Sequence, residues 1–76
     1  MTNIADRFGE VVRALREARG WSQEKLAERA DLNRSYLGEI ERGQAQPSLI
    51  TVAKLADALD ISPSGLLASC EDLRPH

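Results

Sequence analysis

Apolar residues recur along the chain at helical spacing and mark out five short helices. Phe8, Val12 and Leu15 lie at i, i+4 and i+7, the inward stripe of a helix over residues 4–19. Thr2 or Asn3 stands where a cap is needed, and Gly20 where the helix must end. Leu26, Ala27 and Ala30 form a second, narrower stripe. Ser22 caps that helix, with Gln23 and Glu24 in its first turn, where the helix dipole favours acceptors and acids. Trp21 and Leu26 are spaced as a hydrophobic staple. Asp31-Leu32-Asn33 breaks the pattern, Asn33 caps a third helix, and Gly43 ends it. Residues 44–47 read as a loop, because Pro47 discourages helix before it, and Ser48 caps the next helix. That fourth helix, residues 49–60, turns Leu49, Val52, Leu55, Ala56 and Leu59 inward and leaves Ile50 off the stripe. Ser62-Pro63 opens a fifth helix to Ser69, stapled by Ile61 and Leu66, with Leu67 off its inward face. Residues 71–76 form a polar tail expected to fray. The pattern predicts an all-α fold: a compact bundle of five short helices in one domain over residues 1–76.

The third helix has two unlike sides. At 3.6 residues per turn, Leu37, Ile40 and Glu41 share one side. Arg34, Ser35, Gly38, Glu39 and Arg42 share the other, with Tyr36 on the flank. The first side is core apart from its acid. The second is polar or bare of side chains, and it starts with groups able to reach base edges in a DNA groove.

Residues 22–43, two short helices joined by a tight turn, resemble the helix-turn-helix of the phage-repressor family, also called the xenobiotic-response-element family. The run Asp-Leu-Asn-Arg-Ser-Tyr-Leu-Gly-Glu-Ile-Glu-Arg-Gly over 31–43, followed by Pro47-Ser48-Leu49, is most similar to controller proteins of restriction–modification systems. The resemblance implies the lambda-repressor-like fold. It also implies a sequence-specific transcription regulator that binds double-stranded DNA as a homodimer on a two-fold operator.

Site roles follow from the same resemblance. Gln23 matches the family glutamine that meets a phosphate, while its helix dipole points at the same group; the other reading is a solvated first-turn glutamine. Arg34 and Ser35 are placed to read bases, and arginine's paired donors fit the O6 and N7 acceptors of guanine. A phosphate contact is the other reading for Arg34. Asn33 reads either as a base contact or as a cap alone. Tyr36 either packs as a flank or touches a phosphate or a thymine methyl. Glu39 either accepts from cytosine N4 or orients Arg34. Arg42, Gln44, Gln46 and Ser48 are the backbone-phosphate candidates, and Ala45 stands where many controllers carry a basic residue. The family arginine that pairs with the acid near the end of the recognition helix matches Arg16 here, with Glu41, which turns toward the core side of its own helix, as its partner; the other reading for Arg16 is a surface arginine with only its stem buried. Arg7, Arg13 and Arg19 read as solvated. Ile50 and Leu67, apolar but turned away from their own core, are the candidate dimer contacts on helices four and five, residues 49–69. Glu24 and Glu28 lie at i, i+4, where activating phage repressors use acids to touch the sigma subunit of RNA polymerase. The alternative is a solvated acidic face neutralised by Lys25 and Arg29.

Composition limits other classes. Seventy-six residues suit one domain, a size at which dimerisation often adds stability. Aromatic content of 4% makes the core aliphatic. One cysteine, Cys70, leaves no internal disulfide. The single histidine, His76, gives no credible triad, no Gly-rich phosphate loop appears, and neither a metal nor another cofactor is expected. An enzyme is therefore not expected. No run reaches membrane-span length and no signal-peptide pattern opens the chain, so the expected location is the cytoplasm with no membrane partner. The net charge of −2 runs against a nucleic-acid binder, but residues 1–20 hold four Arg against three acids. Helix N-termini, amides and backbone N–H groups also bind phosphates. The competing readings are an antitoxin or other protein-interaction module of this fold, and a stand-alone phage-type repressor.

Overall fold

The computed structural model describes residues 4–71. Local signals at each end of the apolar stripes set five helices: α1 Ile4–Ala18, α2 Gln23–Ala30, α3 Arg34–Glu41, α4 Leu49–Ala58 and α5 Pro63–Ser69. Four are opened by a side-chain oxygen on extended backbone. Ser22 Oγ accepts from Lys25 N–H at 3.1 Å, Asn33 Oδ1 from Ser35 N–H at 2.8 Å, Ser48 Oγ from Thr51 N–H at 3.1 Å and Ser62 Oγ from Gly65 N–H at 2.9 Å. Each cap contributes about 1 kcal/mol by satisfying a donor that the helix leaves free.

Four helices close alike, with a left-handed residue followed by an N–H that reaches back five residues, as Trp21 does to Arg16 O and Gln44 to Glu39 O. Gly20 and Gly43 fill two of these positions, at φ 71 and 74. Asp31 and Asp60 fill the others, at φ 56 and 60, a backbone that Asp tolerates better than most side chains. The expected bounds hold to within two residues, and α5 is as expected. The cap assigned to Thr2 or Asn3, His76 and the tail after Glu71 lie outside the described residues.

The principal helix contacts run α1–α3–α2–α4–α5 and back to α1. Inside this ring sit Phe8, Val12, Leu26, Ala27, Ala30, Leu37, Ile40, Val52, Leu55, Ala56, Leu59, Leu66 and Cys70, an aliphatic core as composition requires. Burying each leucine stabilises the fold by about 1.5–3 kcal/mol. The Cys70 thiol is enclosed and donates to Leu66 O at 3.3 Å.

Four expectations change. Leu49 is 83% exposed: it continues the stripe of Val52, but the first turn of α4 stands over an open apolar hollow with no element of the described chain to cover it. Leu15 is half-buried at the core edge, and so is Leu67, which was expected to face away. Arg7 and Arg19 are not simply solvated. Arg7 Nε donates to Cys70 O at 2.9 Å and Arg19 donates to Leu59 O, so one arginine of α1 and one in the turn just after it hold free carbonyls at the ends of α5 and α4. The Arg19 and Arg29 guanidiniums also lie 5.2 and 4.8 Å from the centre of the half-buried Trp21 ring.

The junction of α1 with α3 places the third helix. Gly9 and Arg16, two turns apart on α1, share one face, and both meet Glu41. At Gly9 the backbones touch: a methyl there would lie 2.2 Å from Ile40 O and 2.9 Å from Glu41 O. At Arg16 the contact is a two-pronged ion pair, Nε to Glu41 Oε2 at 2.8 Å and Nη2 to Glu41 Oε1 at 3.0 Å. The Glu41 side chain is 2% exposed. Arg16 Nη1 donates to Trp21 O at 2.8 Å. The hydrogen bond to Glu41 raises the Arg16 pKa above its ordinary value, against the opposing effect of burial.

Two outcomes follow for stability. Ala for Gly in an open helix stabilises by about 0.5–1 kcal/mol. Gly9→Ala should instead destabilise by about 1–3 kcal/mol in urea melts, because the methyl meets backbone that must shift; a stabilised variant would mean the helices are not in backbone contact. Arg16→Met and Glu41→Gln should each cost about 3–5 kcal/mol by stranding the other charge. A double-mutant cycle should then give strong coupling, and additive losses would refute the buried pair.

Candidate nucleic-acid interface

The amino end of α2 and the outer face of α3 meet at a shallow hollow of about 200 Å³ lined by Gln23, Arg34, Ser35, Gly38, Glu39 and Arg42. Asn33 sets the start of α3: its Oδ1 takes the N–H groups of Ser35 and Tyr36, at 2.8 and 3.4 Å. That cap aims the first turn outward, so Arg34 and Ser35 stand exposed. Leu37 and Ile40 lie in the core and anchor the opposite side.

Gln23 belongs both to this hollow and to the core. Its Nε2 donates to Glu41 Oε1 at 3.0 Å, which uses one of two amide hydrogens and leaves the other. The buried ion pair thus fixes the orientation of the amide at the helix N-terminus, where the dipole favours an anion. Arg42 folds back along α3, as helical side chains do. Its Nε donates to Gln44 Oε1 at 3.1 Å, and its Nη1 would lie 3.0 Å from a methyl on Gly38. Gly38 therefore sits on the outer face, as expected, yet it is buried beneath side chains.

The cations divide clearly. Among the described residues, Arg7, Arg16 and Arg19 hold core or carbonyl groups, Arg13 pairs with Glu17 at 3.2 Å, Arg29 lies by Trp21, and Lys54 pairs with Asp31 at 3.7 Å. The Arg34 guanidinium has no hydrogen bond or ion pair among the described residues, and neither do the Lys25 ammonium and the Glu39 carboxylate. The option in which Glu39 orients Arg34 has no contact behind it.

Some expected members fall elsewhere. Tyr36 is a half-buried flank whose hydroxyl lies 3.5 Å from Thr51 Oγ1. Thr51, which the sequence reading overlooked, is buried and also bonds Ser48 Oγ at 3.0 Å, so the Ser48 hydroxyl already serves the start of α4. The signal for Thr51 was its place three residues after a capping serine. Gln46 is separated from the group: it lines a second hollow of about 390 Å³ with Ile4, Phe8, Pro47, Leu49 and Leu67. Ile50 is 70% exposed, as expected of a residue off the stripe. Glu24 and Glu28 are exposed on α2. No cluster of metal ligands occurs among the described residues, and no helix there is long and apolar enough to cross a membrane.

Known proteins share this arrangement. The helix-turn-helix family matches residues 12–66. Control protein C.BamHI of Bacillus amyloliquefaciens is 44% identical over 66 residues, covering 86% of this chain and 82% of that protein. The regulator SutR of Escherichia coli (strain K12) is 32% identical over 75 residues, and the chain spans 42% of its length. Among solved structures, the restriction–modification controller protein C.AhdI from Aeromonas hydrophila is 52% identical, with a TM-score of 0.78 and coverage of 82% of this chain and 94% of that one. The matched residues hold both helices of the hollow, and the chain belongs to the helix-turn-helix family of DNA-binding transcription regulators.

Proposed function

We propose that this chain is a restriction–modification controller that binds a two-fold operator as a homodimer, with α3 in the major groove. The observation that carries the reading is the hollow where Gln23 and Arg42 flank an unheld Arg34. Gln23 and Arg42 supply backbone-phosphate contacts beside the α2 N-terminus, and these set register. Arg34 and Ser35 reach base edges, with Arg34 suited to guanine. Glu39, one turn on, accepts from cytosine N4. Relatives that are themselves control proteins support the controller role.

Dimerisation draws on a patch wider than the two residues first assigned. Ile4 is 59% exposed, and with Leu49 and the half-buried Leu67 it brings α1, α4 and α5 together around the second hollow, while Ile50, next to Leu49 in the chain, is exposed outside its lining. A domain this small gains stability by covering such a surface with a copy of itself. A two-fold pair then requires half-sites about 10–10.5 base pairs apart, or a multiple, centre to centre.

Two measurements test this reading. On a duplex selected from a random pool, Arg34→Ala should cost about 1–3 kcal/mol and relax one position of the site, with little change on unselected DNA. Equal losses on both would remove the base-reading role. In sedimentation the chain should be a dimer at concentrations that occupy DNA, and Ile50→Glu should shift it to a monomer that keeps its helical spectrum and loses the concentration dependence of its melting temperature. A monomeric parent chain under those conditions would overturn the two-fold model.

A further inference from the structure

Gly38 is the residue in α3 that its own helix has least reason to contain. Glycine in a helix interior is disfavoured relative to alanine, and most surface positions take a longer residue without difficulty. Here it lies four residues before Arg42 on the same face, directly under the path of that side chain. A methyl at this position would stand 3.0 Å from Arg42 Nη1, 3.8 Å from Arg42 Cζ and 3.6 Å from Gln23 Oε1. The Arg42 guanidinium is thus laid almost on the helix backbone, tethered at Nε by Gln44, and brought beside the Gln23 amide that Glu41 fixes.

We propose that Gly38 is a positioning residue: its missing side chain lets Arg42 lie flat beside Gln23, so that the two together grip one DNA phosphate at the amino end of α2. The proposal rests on the reading of this face as the DNA interface. A methyl at 38 would press on Arg42 Nη1 at 3.0 Å, so the guanidinium has to give way by a few tenths of an ångström and loses its fit beside Gln23. The fold need not suffer, because the nearest atoms belong to the free end of a flexible side chain. Gly9 is the contrast, since there a methyl would meet carbonyl oxygens of another helix.

The test is a set of three variants, Gly38→Ala, Arg42→Ala and the double variant, each measured for urea midpoint and for DNA affinity across a salt series. Gly38→Ala should keep or raise the urea midpoint yet weaken binding to selected and unselected DNA alike. Its slope of log affinity on log salt should flatten by about 0.9 for each protomer bound, the loss of one neutralised phosphate. Arg42→Ala should do the same to binding, and the double variant should bind no worse than Arg42→Ala. If Arg42→Ala changes neither affinity nor slope, the interface reading itself is wrong. If Arg42→Ala weakens binding while Gly38→Ala does not, the interface stands and the positioning role falls. Losses that add in the double variant would mean that Gly38 meets DNA directly, and a lower urea midpoint for Gly38→Ala would mean that it packs for the fold. Either result overturns the proposal.

Discussion

The buried pair of Arg16 with Glu41 is the constraint on which the rest of this structure turns. Taking two charges out of water is costly, and the cost is offset only when geometry is close and every remaining donor and acceptor finds a partner. That requirement is met from four parts of the chain. Arg16 comes from α1, Glu41 from the last turn of α3, the Trp21 carbonyl from the turn after α1, and the Gln23 amide from the start of α2. No buried side-chain nitrogen or oxygen among the described residues is left without a partner. A pair so demanding adds little net stability over an apolar substitute, but it tolerates few placements of the helices that share it. Close contact at Gly9 narrows them further, since α3 can slide along α1 only if its carbonyls clear the helix backbone.

A consequence is that charge in this protein is organised by position more than by amount. The chain is acidic overall, and the four arginines of residues 1–20 mostly serve inward or hold the ends of α4 and α5. Among the described residues, what is left for an anion is a helix N-terminus, an oriented amide, the exposed Lys25 ammonium, and the guanidiniums of Arg34 and Arg42. A small number of well-directed groups suits a regulator, because phosphate contacts bind all sequences alike and only base contacts discriminate. Ile4 and Leu49 line a separate hollow, and Gln46 lines it with them rather than joining Gln23, Arg34 and Arg42.

Most of this was legible in the sequence where the physics is local. Ser22, Asn33, Ser48 and Ser62 announce helix starts because a capping oxygen needs only its own next few residues. Gly20 and Gly43 announce ends for the same reason. The outward side of α3 and the inward turn of Glu41 follow from helical geometry, and the family resemblance supplied the arginine that Glu41 meets. What was not legible depends on what lies across the gap. Leu49 fits its stripe, yet nothing in the described chain covers it. Arg7 and Arg19 look solvated until the ends of α5 and α4 come within reach. Gly9 has no local signature to distinguish it from Gly38, although a methyl at one meets backbone and at the other a mobile guanidinium.

The central claim is that a surface registered by the buried pair, built from the amino end of α2 and the outer side of α3, is where DNA docks. Backbone amide spectra of the chain titrated with its selected duplex test this most directly, since each amide reports separately. The account predicts the largest shifts at residues 22–25, 33–39 and 42–44, with the Arg16 side-chain Nε–H unmoved in its bond to Glu41. Shifts centred instead on Ile4, Leu49 and Leu67, or loss of the Arg16 signal on binding, would contradict it.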